Sequence, residues 1–84
     1  MGFIFMDVDI YQIAIKPHDG KRERFLDKFE KPDSVMKCSN KILGNYGREY
    51  VFYSAVDERD AEEVKKKALD TGLVNEENVY VDKF

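Results

Sequence analysis

The chain has 84 residues, 43% of them hydrophobic and 37% charged, with a formal net charge of −3. That length makes one small domain, residues 1–84, which buries only a little over roughly 60% of its unfolded surface. A single cysteine, Cys38, excludes an internal disulfide and a cysteine-based metal site and fits a reducing, cytoplasmic setting.

Met1 to Lys16 reads as a long first strand. Ile4, Met6, Val8 and Ile10 share one parity, and Tyr11, Ile13 and Ile15 share the other. The phase change near Ile10–Tyr11 calls for a bulge or for two strand pieces joined at a bend. Met6 is a second candidate start, which would make Met1–Phe5 an extension. The segment is too short and too polar for a membrane span and lacks the basic start of a signal peptide. No membrane contact is expected.

Pro17 stops the strand, and Lys16-Pro17-His18-Asp19-Gly20 has the composition of a turn. A helix from about Lys21 to Lys31 follows, with Asp19 as its cap, Phe25, Leu26 and Phe29 on its buried side and Pro32 at its end.

Asp33 to Gly44 has two readings. As a strand, Met36, Cys38 and Ile42 share a face, and Gly44-Asn45-Tyr46-Gly47 makes a hairpin turn. As a helix, Asp33 or Ser34 caps it and Gly44 ends it.

Tyr50 to Val56 is the clearest strand. Val51, Tyr53 and Ala55 point one way, and Tyr50, Phe52, Ser54 and Val56 the other. The face with Val51 and Ala55 suits a packed helix, and the opposite face carries the rings of Tyr50 and Phe52.

The next helix, Glu58 to Thr71, is well specified. Asp57 is the N-cap, and Glu58 and Asp60 lie at the positive end of the dipole. Glu62–Lys66 and Glu63–Lys67 are spaced i,i+4 in the favourable order. Ala61, Val64, Ala68 and Leu69 make a narrow apolar stripe. Gly72 is the left-handed cap, with Leu73 folding back as in a Schellman ending. Val74 to Asn78 reads as a polar loop, Val79 to Val81 as a short last strand and Asp82 to Phe84 as a tail.

The strand reading of 33–44 gives an α+β domain in the order β-α-β-β-α-β, the ferredoxin-like plait. The helix reading gives β-α-α-β-α-β with a three-stranded sheet. The plait uses every element and is preferred.

Chemistry-bearing residues are sparse. His18, the only histidine, stands beside Asp19 in a turn, and the two do not make a metal-ligand set. Asp7 and Asp9 share a strand face with carboxylates about 7 Å apart, twice the strand rise. Solvent-facing acids that discourage sheet association are the simpler reading. Cys38 has Lys37 and Lys41 nearby but no histidine local in sequence to act as base, so a buried structural thiol is expected. No phosphate-binding glycine loop occurs. The expectation is a non-enzyme with no cofactor, no metal and no catalytic residue.

What remains is binding. Arg48, Tyr50 and Phe52 share one parity on the third strand, the candidate site. A protein partner or a second copy of the chain covering those rings is the first reading, because an exposed apolar patch needs a partner and isologous dimers are common. RNA or single-stranded nucleic acid stacking on the rings is the second. Net charge of the wrong sign and the unmatched RNA-recognition consensus disfavour it. A small inhibitor or accessory factor of a larger complex is the third. The charge is uneven: residues 1–45 carry eight Lys/Arg against seven Asp/Glu, and residues 46–84 carry six against ten.

Overall fold

A computed structural model describes residues 10–38 and 50–83. It is a small α+β domain in which four antiparallel strands and two helices follow one another as β1 (Tyr11–Ile15), α1 (Arg22–Lys28), β2 (Met36–Cys38), β3 (Val51–Ala55), α2 (Glu58–Asp70) and β4 (Val79–Lys83). The strands lie side by side in the order β2-β3-β1-β4.

The pairing separates the two faces of the sheet, because register partners share a face. Ile13 faces Tyr53 and Val81, and Ile15 faces Val51 and Val79. All but Val81 are buried, in one cluster with Phe25 and Phe29 of the first helical segment and Ala61, Val64 and Ala68 of α2. Both helices therefore pack on the face of Ile13, Ile15, Val51, Tyr53 and Ala55, the face that the parity and side-chain size of the third strand select.

The first strand is shorter than expected within the described residues. β1 begins at Tyr11, and Ile10 before it is exposed. Met1 to Asp9, the segment that carries Asp7 and Asp9, lies outside the described residues. β2 at Met36–Cys38 pairs with β3, so the helical alternative for 33–44 fails where the segment is described. Residues 39–49, with the Gly44–Gly47 turn, lie outside the described residues.

α1 departs from expectation at both ends. Asp19 does not cap it: Lys21 stands at the N-cap position with no side-chain bond. Gly20, at φ +74°, turns the chain first, and the Lys21 amide donates to the His18 carbonyl at 2.9 Å. The loop hydrogen-bonds through its backbone where a carboxylate cap was expected. At the other end the helix stops at Lys28. Phe29 is already extended (ψ 124°), two residues before the position that Pro32 restricts. That conformation sets the Phe29 ring between Phe25 and Tyr53, with centroids 5.1 Å from each.

α2 follows its sequence closely. Asp57 Oδ1 accepts from the Arg59 amide at 2.9 Å, and of the two expected i,i+4 pairs Glu63–Lys67 closes, at 3.6 Å. The C-terminal end keeps half of the Schellman closure, the Gly72 amide donating to the Leu69 carbonyl at 3.1 Å and Leu73 packing back on the core. The other half is rerouted. Gly72 is left-handed as expected, at φ +74°, but the Leu73 amide donates to Thr71 Oγ1 at 3.1 Å, and that hydroxyl donates to the Ala68 carbonyl at 2.7 Å. A buried threonine thus relays the bond that the Leu73 backbone would otherwise make to the helix directly.

Lys28 supplies a second tie to that end, donating from Nζ to the Thr71 carbonyl at 3.1 Å. A charged donor on an otherwise orphaned carbonyl contributes on the order of 1 kcal/mol. Lys28→Met is expected to lower the unfolding free energy by that amount, read as a lower urea midpoint with an unchanged m-value, and Lys28→Arg to retain most of it. An unchanged midpoint in Lys28→Met would show that the contact contributes nothing.

Between α2 and β4, Val74 is buried, which corrects the reading of 74–78 as a wholly polar loop. Glu76–Asn78 forms a 3₁₀ turn. The loop is pinned to the β1–α1 turn by His18 N–H to the Leu73 carbonyl (2.8 Å) and Lys16 N–H to the Asn78 carbonyl (2.9 Å). The last strand runs two residues past Val81, to Lys83. Phe84 lies outside the described residues.

Candidate binding face

The face opposite the helices is built from the alternate residues of the same strands. In register, Ala14 lies between Phe52 on β3 and Tyr80 on β4, and Gln12 between Ser54 and Asp82. Met36 on β2 pairs with Ser54, which places it on this face too. Period-two alternation delivers these residues together once the helix side is assigned.

The rings form a cluster. Tyr50 and Phe52 stack with centroids 6.3 Å apart, and Tyr50 meets Tyr80 at 6.2 Å, tilted by 37°. β3 and β4 are not neighbours, since β1 lies between them. Two inter-strand steps span about 9.6 Å. The strand between them carries only the methyl group of Ala14 at that level, and Ala14 is fully buried. A small residue on the central strand lets large rings on its flanking strands lean together.

Of the expected site residues, Tyr50 and Phe52 are brought together, and Arg48 lies outside the described residues. The two rings differ in exposure. Phe52 is 7% exposed, whereas Tyr50 is half-buried. Tyr80, 40% exposed, joins them and was not singled out from the sequence. The signal for it was the alternation Val79-Tyr80-Val81, which puts Tyr80 on the opposite face from its valines. Using that signal requires the strand order. Met36, 68% exposed, adds an apolar side chain at the β2 edge.

Within the paired strands the charge placed on this face is the Asp82 carboxylate. Gln12 is buried beside it. One residue beyond β1, Lys16 continues the register through its amide to the Asn78 carbonyl and has the parity of Ala14, which puts a cation at the Tyr50 end of the face.

The other chemistry-bearing residues lie elsewhere. His18 is exposed, its Nε2 3.1 Å from Asn75 Oδ1, in the loop pair at one end of the sheet. The Cys38 side chain lies outside what is described. Among the described residues no group of three or more His, Cys, Asp or Glu side chains is arranged to hold a metal ion. No helix among them is long and apolar enough to cross a membrane. A shallow groove lined by Lys28, Glu30, Lys67, Asp70 and Thr71 runs over the ends of the helices. Its cations are already engaged, Lys28 by the Thr71 carbonyl and Lys67 by Glu63.

On the helix side, burial pushes the Tyr53 hydroxyl above its ordinary value of 10.0, with the Arg22 cation pulling the other way. The folded state therefore keeps this proton longer than the unfolded chain does. The stability it contributes is present below about pH 10 and is lost as pH rises through the raised folded-state value. Tyr53→Phe is expected to show a shallower alkaline decline in stability, followed by circular dichroism. Coincident alkaline limbs would exclude Tyr53 as a source of that decline.

No protein-family model, curated protein or solved structure matches this chain.

Proposed function

We propose that the chain is a non-catalytic protein-binding module that works through the sheet face opposite its helices, with a second copy of the chain as the partner to test first. The observation that carries this reading is the Tyr50–Phe52–Tyr80 ring cluster, with Tyr80 and Met36 exposed on the same face. Tyrosine and methionine are enriched where proteins meet, because they add large contact area at modest conformational cost. We read the order β-α-β-β-α-β with strands β2-β3-β1-β4 as the ferredoxin-like plait, an architecture with helices on one face and a second face available for recognition. Fold alone assigns no function, so the proposal rests on the face itself.

The charge pattern favours protein over nucleic acid. Binding a phosphate backbone requires cations beside the stacking rings. The described part of this face carries Asp82 and a single lysine, Lys16, at its Tyr50 end, too little positive charge to track a phosphate backbone, and the chain as a whole is at −3. The same face would serve a self-associating unit or an inhibitor or accessory factor of a larger complex.

Light scattering across a wide concentration range, paired with binding to a random RNA pool at low and moderate salt, tests it. A mass that rises with concentration and no salt-resistant RNA binding is expected. A strict monomer that binds the pool through the same rings would replace this reading with nucleic-acid stacking.

A further inference from the structure

We draw no further inference here: the strongest candidate, the patch of Tyr50, Tyr80 and Met36 on the sheet face opposite the helices, belongs to the site already described, and nothing in the structure shows what covers it.

Discussion

Phe25→Ala is expected to cost about 3–5 kcal/mol, a large share of the roughly 5–15 kcal/mol that holds a domain of this kind together. Phe25 is fully buried, and its ring stacks on Phe29, which in turn packs on Tyr53 of the sheet. α1 is only seven residues long and has no side-chain N-cap. A helix that short is not stable by itself, so its hold on the sheet comes from packing. Removing the ring leaves a cavity under α1 at its one buried residue, and Phe29 loses its stacking partner, a further ~0.5–1.5 kcal/mol. The melting temperature should fall by about 4–8 °C for each kcal/mol. Phe25→Leu keeps most of the volume and should retain most of the stability. A Phe25→Ala loss below about 1 kcal/mol would mean that α1 is not anchored as described.

The second large effect is on association rather than folding. Tyr50→Ser combined with Tyr80→Ser removes the two more exposed rings of the cluster and spares Phe52, whose burial makes it a poor probe of binding. Truncating a tyrosine at the centre of an interface commonly costs 2 kcal/mol or more, on the order of thirtyfold in affinity. Self-association should therefore weaken at least tenfold, while the cost to thermal stability stays well below that of Phe25→Ala. The reason is geometric: Tyr80 is 40% exposed and lies across the sheet from the helix-facing core of Phe25, Ile13 and Val64. A variant that unfolds would place these rings in a second core and remove them as a recognition surface. Tyr80→Phe, which keeps the ring, should associate nearly as well as the unmodified chain.

Much of this architecture is readable from residue order. Strand parity alone divides Val51, Tyr53 and Ala55 from Tyr50 and Phe52, because a period of two leaves no third option. α2 is legible apart from the way its last turn closes, since Asp57, the Ala61-Val64-Ala68 stripe and Gly72 each specify one feature through local chemistry. Three features are not announced by residue type, two of them local bonds and one a matter of strand order. The N-terminus of α1 depends on a backbone bond from Lys21 to His18 that no composition announces. The closure of α2 passes through the Thr71 hydroxyl, a residue with no strong capping signal of its own. Tyr80 joins the ring cluster only because β1 separates β3 from β4 and carries Ala14 at the crossing level, a coincidence of strand order and register. Arg48, the third residue expected at the site, lies outside the described residues.

The most direct measurement is sedimentation equilibrium of the unmodified chain beside the Tyr50→Ser, Tyr80→Ser variant, with both shown to be folded by circular dichroism. The unmodified chain should climb from its 9.8 kDa monomer mass toward twice that value as concentration rises, and the variant should stay at the monomer mass over the same range. A mass of 9.8 kDa for the unmodified chain at every concentration, or equal association by the two proteins, would contradict the assignment of this face to self-recognition.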